Sequence, residues 1–423
     1  MDKVLIITYY WPPSGGAGVQ RWLKFSKYLP QYGWEPVILT VDPQFAAYPA
    51  IDASLEKDIP DQIKVFRTKA TDWFRLYRND KSEVPSAGFA INMDNSLKGK
   101  ISRFIRGNFF IPDPRRGWNK FAIRKACEII ESLKINHIVT TSPPHSTQLI
   151  GLHLKKRFPG IIWVSDLRDA WTDIYYYKLF YPSRISAAID AGYERKVLRN
   201  ADRIITVGKN LAETFASRIK DAGTRVQIIP NGYDEEDFEG VEMVLPDRFT
   251  ITYIGTMSEA YPMDALIEAL SVIKKTGHDF LFRFVGNIPA DLKTKITASI
   301  GREKTEFVPY SEHPEAIRSM ASSSLLLLVV PLTENNKVIT PGKLFEYIAT
   351  GKPVLYIGPV DGDPTYHLRQ CGHSGIFDGR STDDIERFIL KLMRSDESCS
   401  FIRHTEYSRK MLTQKLGEVL ADR

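Results

Sequence analysis

Short apolar runs rich in β-branched and aromatic residues alternate along the chain with longer stretches of helical period. Parallel sheets covered by helices on both faces give this pattern. It predicts strands over 4–8, 36–41, 64–67, 137–141, 161–165, 203–207 and 226–229, with helices between most of them. The pattern then restarts, with strands over 250–254, 280–285, 306–308, 325–330, 354–357 and 375–377. Two α/β domains follow, and 423 residues are enough for two cores of roughly 200 residues each. The run EGVEMVLPDR, over 239–248, is polar, contains proline and lacks periodicity, which predicts a seam near residue 245. The expected domains are therefore 1–245 and 246–399. Residues 79–96, small and polar, read as a loop or lid interrupting the first domain. Residues 407–420 read as an amphipathic helix.

Charge and composition narrow the class. The net charge is +6, but residues 1–240 hold 35 Lys and Arg against 27 Asp and Glu, so the first half carries all of the excess. Within 98–125, nine basic residues stand against one acid, Asp113, with Ile101, Phe104, Ile105, Phe109, Phe110, Ile111 and Trp118 between them. Two readings fit this stretch equally: a face lying on an anionic membrane, or a solvated basic face whose aromatics belong to the core. Nucleic acid is not expected, since no binding motif accompanies the charge. No stretch approaches the roughly 20 apolar residues that cross a bilayer, and the start MDKVLIITYY reads as a strand instead of a leader. Three widely spaced cysteines, Cys127, Cys371 and Cys399, give no disulfide framework or zinc spacing. The expectation is a cytoplasmic protein, peripheral on the inner membrane face if the basic stretch docks there.

The most informative motif is PGKLFEYIATGKPV, over 341–354. It reads as a loop, a short helix ended by a left-handed glycine at Gly351, and a buried strand opened by Pro353. Lys343 lies near the helix N-terminus, where unpaired amides and the dipole already favour an anion such as a diphosphate. Glu346, three residues on, shares about the same helix face and offers two acceptor oxygens to the vicinal hydroxyls of a ribose.

Other candidates follow strand ends, where open α/β sheets bind ligands. After the first strand comes TYYWPPSGGAGVQRW, with Gly15, Gly16 and Gly18 before a helix expected near Val19; backbone approaches phosphate closely at such a loop. A dinucleotide fingerprint is the rival, supported by Gly16, Gly18 and Asp42, but Arg21 occupies its third glycine position. WVSDLRDAW, over 163–171, sets Asp166, Arg168 and Asp169 just past a strand, where three charges are expected to point outward. TTSPPHST, over 140–147, presents Ser142 and His145 before a helix.

The 341–354 motif and the order of these pieces resemble family 4 of the nucleotide-sugar-dependent glycosyltransferases, over nearly the whole chain. The resemblance implies the GT-B fold, with two Rossmann-like domains facing an interdomain cleft, and a C-terminal helix, about 400–423, packing back on the first domain. It implies retention of anomeric configuration and no metal or cofactor, the nucleoside diphosphate sugar being a substrate. Gly255 and Thr256 stand where the family's donor-phosphate glycine lies, and the backbone at Val308 and Pro309 where a nucleobase passes. Gly15 and Gly16 join the donor side. Asp169, with Asp166 second, occupies the loop whose acid or His faces the transferred sugar or the acceptor; His145 and Arg168 are assigned to the acceptor side. Asn231 and Gly232, in IIPNGYDEEDF, match the turn that ends the family's first domain.

Two departures stand out. TMSEAYPMD, over 256–264, lacks the family's Arg and Lys pair, leaving Lys343 and Lys337 to take over its charge, and Val338 stands where the family pattern has a first Glu. The expected function is transfer of a sugar from a nucleoside diphosphate sugar to a hydroxyl of a surface polysaccharide or lipid-linked glycan, with Asp169, Asp166 and Lys343 as catalytic candidates. The rivals are a sugar-nucleotide epimerase of the same fold, an NAD(P)-dependent oxidoreductase using the Gly15–Gly18 loop, and a scaffold without activity. Base, sugar, acceptor, linkage and oligomeric state are not written in the sequence.

Overall fold

In the computed structural model of the protein, residues 1–73, 96–219, 225–394 and 404–422 are described. The expected loop at 79–96 lies outside them except for Ser96. The chain forms two compact units, Met1–Asn231 with Arg409–Arg423, and Gly232–Ser408.

The first unit is built on seven parallel strands: β1 (Asp2–Ile7), β2 (Trp34–Val41), β3 (Lys64–Thr68), β4 (His137–Ser142), β5 (Ile162–Leu167), β6 (Arg203–Thr206) and β7 (Val226–Ile228). Their order is β3-β2-β1-β4-β5-β6-β7. The register pairs Val4 with both Pro36 and His137, so β1 is central and its residues 4–7 are wholly buried. That explains an unbroken apolar run instead of alternation. The C-terminal helix Arg409–Ala421 belongs to this unit, and its Leu412, Leu416, Val419 and Leu420 join the core formed by Trp22, Leu23 and Trp34.

The second unit repeats the plan with β8 (Phe249–Ile254), β9 (Phe280–Val285), β10 (Thr305–Val308), β11 (Leu325–Val329), β12 (Val354–Ile357) and β13 (Ile376–Phe377), ordered β10-β9-β8-β11-β12-β13. All thirteen expected strands are present, with ends displaced by at most two residues. In each sheet the strand order reverses direction at one point, between β1 and β4 in the first and between β8 and β11 in the second. Open α/β sheets bind ligands at such points, beyond the carboxyl ends of the strands.

The seam needs correction. It falls at Asn231–Gly232 and not near residue 245. The 239–248 run is polar in composition, yet its Val241 and Met243 pack on the second core, Val244 N–H donates to Ala321 O, and Val244 O accepts from the buried Lys352. Gly232 takes φ 64°, as the Asn-Gly turn requires. Among the described residues, no helix is long and apolar enough to cross a membrane.

Candidate functional site

In the second unit, several expected residues converge at the β8/β11 reversal. The helix Lys343–Thr350 begins at Lys343 and ends at Gly351 in the left-handed conformation, φ 66°. Leu344, Phe345, Tyr347 and Ile348 anchor it in the core, which leaves Lys343 and Glu346 on its half-buried side. Lys343 Nζ lies 3.6 Å above the Tyr253 ring and donates to Ile254 O at 2.6 Å. Burial disfavours the ammonium and brings its pKa down to about 7, with the Glu346 charge pulling the other way.

Gly255 follows β8 with φ 123°, and a Cβ there would meet Lys343 Nζ at 3.3 Å. Gly286, after β9, has φ 127°, and its Cβ would fall 2.2 Å from Gly255 O. Two glycine loops therefore stack beside one lysine, a place where backbone and charge together can accept phosphate. Thr256 is exposed and its carbonyl accepts from Tyr253 Oη at 3.1 Å. Val308 O is engaged by Gly286 N–H at 2.9 Å, and Pro309 is exposed beyond it.

Sequence reasoning missed His313. At the start of the helix His313–Ala321, its Nε2 lies 3.0 Å from Glu346 Oε1. The signal in the sequence, His-Pro opening a helix, reads only as a helix start. Gly286 and Tyr253 were missed likewise, since their roles depend on packing across strands.

In the first unit the outcome is divided. Gly15 is fixed by its N–H to Ala50 O at 3.0 Å, whereas Gly16 is exposed with φ 97° and caps the helix Ala17–Tyr28. The helix starts at Ala17, ahead of the expected Val19, and Gly18 sits within it because a Cβ there would press on Arg168 Nη1 at 3.1 Å.

Asp166 does not point outward. It is fully buried and accepts from Arg21 Nη2 at 3.1 Å, Trp22 Nε1 at 2.6 Å and Thr141 Oγ1 at 2.8 Å. Arg21, in the rival fingerprint's third glycine position, also donates to Ile229 O and Pro230 O. This buried pair ties the first helix to β4, β5 and the end of the sheet, so the expectation that Asp166 faces outward is corrected: its carboxylate is taken up by the core. Arg168 is likewise a clamp, donating to Ser142 O at 3.0 Å and Gly18 O at 2.9 Å. Only Asp169 stays exposed at its surface, yet enough protein surrounds it that burial pushes its carboxyl pKa up, against the pull of Arg168.

His145 caps the helix Ser146–Arg157 and stacks on Trp171 with centroids 4.8 Å apart. Both ring nitrogens are buried without a hydrogen-bond partner of sound geometry. Burial brings its pKa down to about 4, so the ring is neutral at ordinary pH. It lines a cavity of ≈ 60 Å³ together with Tyr10, Arg106, Phe110, Asp113 and Trp171. Asp113 caps the same helix through Ser146 N–H at 2.8 Å, and Trp171 Nε1 donates to Asp190 at 2.7 Å. The pocket thus combines aromatic walls, cations and one unsatisfied imidazole, which suits a polyhydroxylated ligand. The basic 98–125 stretch is not one face: Arg115 and Trp118 are core, with Trp118 Nε1 on Thr68 Oγ1 at 2.8 Å.

Comparison with known proteins agrees with this architecture. Residues 88–237 match the model described as Glycosyltransferase Family 4. Among solved structures, HepE of Anabaena in complex with UDP and glucose aligns over 100% of both chains, at 14% identity and TM-score 0.59. S. aureus TarM, in complex with Fondaparinux, alpha-GlcNAc-glycerol and UDP, aligns over 100% of both chains at 12% identity and TM-score 0.62. A putative UDP-N-acetylglucosamine 2-epimerase of Listeria monocytogenes covers 98% of this chain and 94% of its own, at 13% identity and TM-score 0.54. No curated protein sequence matches. Residues 88–237 thus carry the family 4 glycosyltransferase model, and the two-sheet architecture of the chain is the GT-B fold of these solved structures.

Proposed function

We propose that the protein transfers a sugar, with retention, from a nucleoside diphosphate sugar to a hydroxyl of a surface polysaccharide or lipid-linked glycan. The observation that carries this reading is the convergence of Lys343 Nζ, the Gly255 and Gly286 loops and Glu346 in the second unit. The diphosphate lies on the Lys343 helix tip and the glycine backbone, and Glu346 accepts from the ribose hydroxyls. Val308 and Pro309 border the base, for which the UDP in the two related complexes makes UDP the first nucleotide to test.

In the reaction the bond from the anomeric carbon to the departing phosphate oxygen breaks while the acceptor oxygen bonds to that carbon on the same face. The acceptor proton passes to a phosphate oxygen. Positive charge on Lys343 and the helix amides meets the charge building on the diphosphate, with no metal required. On the acceptor side, Asp169 and the neutral His145 orient hydroxyls. Gly16 keeps the loop after β1 open to ligand.

The test is a thermal-shift panel of UDP, GDP, ADP and dTDP followed by product analysis with the sugar donors of the nucleotide that binds. Sugar release or transfer that requires an acceptor supports the reading. Conversion of the donor sugar in its absence would replace it with the epimerase.

A further inference from the structure

The helix Leu97–Phe109 contains no acidic residue, and Leu97, Ile101 and Phe104, spaced four and three apart, are 74%, 51% and 46% exposed. A second stripe runs along the helix Arg184–Asn200, where Ile185 and Ile189 are 74% and 45% exposed and Gly192, Lys196 and Arg199 continue at helical spacing. A Cβ on Gly192 would meet nothing within 4 Å. The acids of that helix, Asp190 and Glu194, are buried. All exposed charge on the two helices is therefore cationic: Lys98, Lys100, Arg184, Arg195, Lys196 and Arg199.

Asn108 lashes the helices together. Its amide donates to Tyr181 O at 3.0 Å, and its carbonyl accepts from Ser183 N–H at 2.8 Å and Ser186 Oγ at 2.9 Å. Gly107 permits close crossing, since a Cβ there would fall 2.2 Å from Phe180 O. The two helices that carry these stripes are thus joined where one ends and the other begins, and Arg106 and Asp190 from them, with the adjoining Phe110 and Phe180, line the His145 cavity.

Single exposed apolar residues are ordinary on a protein surface; two lashed stripes with charge of one sign are not. We propose that this face docks on an anionic lipid bilayer, with the apolar side chains at the headgroup boundary and the Lys and Arg side chains on lipid phosphates. A second copy of the chain fits less well, because it would set like charges opposite each other. Docking brings the His145 cavity to the membrane, so that the acceptor is a lipid-borne glycan. That last step rests on the proposed transferase function, whereas the docking itself does not.

The experiment is flotation of the full chain with vesicles of phosphatidylcholine alone and of phosphatidylcholine with phosphatidylglycerol. Wild type and Lys275→Glu, an exposed position at the end of the helix Asp264–Lys275 in the other unit, are expected to float with the anionic vesicles, and Ile101→Asp/Phe104→Asp to lose at least tenfold in bound fraction while keeping its UDP binding and unfolding temperature. Added salt is expected to release the wild type. Equal flotation of wild type and the double variant, no flotation on anionic vesicles at low salt, or a dimer that dissolves in the double variant without vesicle binding would overturn the proposal. Loss of UDP binding in every protein would count against the donor site alone.

Discussion

His313 Nε2 lies 3.0 Å from Glu346 Oε1, and its Nδ1 lies 3.9 Å from Asp237. The acid assigned to the ribose is therefore held by a ring from the preceding helix, which fixes its side chain before any ligand arrives. Glu346→Ala is expected to weaken nucleoside diphosphate binding about 10- to 100-fold, matching the roughly 1.5–3 kcal/mol of hydrogen bonds to a charged group. His313→Asn, which removes only the support, is expected to cost less. Calorimetry with a nucleotide and its 2′-deoxy form separates the roles: the missing hydroxyl should reduce affinity in wild type and make no difference in Glu346→Ala.

Lys343 gives the pH dependence its sign. Its pKa falls to about 7, so the ammonium is present below that pH and lost as pH rises through it. A diphosphate prefers the ammonium, and affinity is expected to fall as pH rises from 6 to 9, by at most about tenfold per unit. Binding above pH 7 should take up a proton, visible as a heat that varies with the buffer. Lys343→Ala should bind weakly with a flat profile; an unchanged slope in that variant would remove the lysine from the site.

Asp166 and Asp169 are expected to separate cleanly. Asp166→Ala leaves Arg21 buried without its carboxylate, a loss of about 3–5 kcal/mol, which corresponds to an unfolding temperature lower by on the order of 10 °C. Asp169→Ala should leave that temperature within a degree or two and lower turnover. Differential scanning calorimetry beside an activity assay checks both, and the reverse pattern would return Asp166 to the reaction.

Gly286→Ala tests the glycine stack. With φ 127° and only 2.2 Å to Gly255 O, a methyl group must displace the loop beside Lys343. The expected result is weaker nucleotide binding with little change in vesicle flotation, which depends on the other unit.

Most strands were legible because they are short buried apolar runs, the half-buried edge strands β3, β7 and β13 because β-branched or aromatic residues still mark them, and the Lys343 helix because Gly351 and Pro353 mark its end. The orientation of charges was not. Asp166 stands just past the expected strand end, as a ligand-facing acid would, but β5 runs on to Leu167 and the arrival of Arg21, Trp22 and Thr141 from elsewhere in the sequence makes it a core residue. The seam was misplaced because Val241 and Met243 pack inside a stretch whose composition is that of a linker. His313 was hidden because its partner lies 33 residues away.

Hydrogen–deuterium exchange with the nucleotide that binds most tightly tests the central claim most directly. Protection is expected at 254–257, 285–287, 308–313 and 340–347, and is expected to disappear in Lys343→Ala. Protection confined to the loop at 14–18 and the turn after β2, with those four segments unchanged, would contradict it.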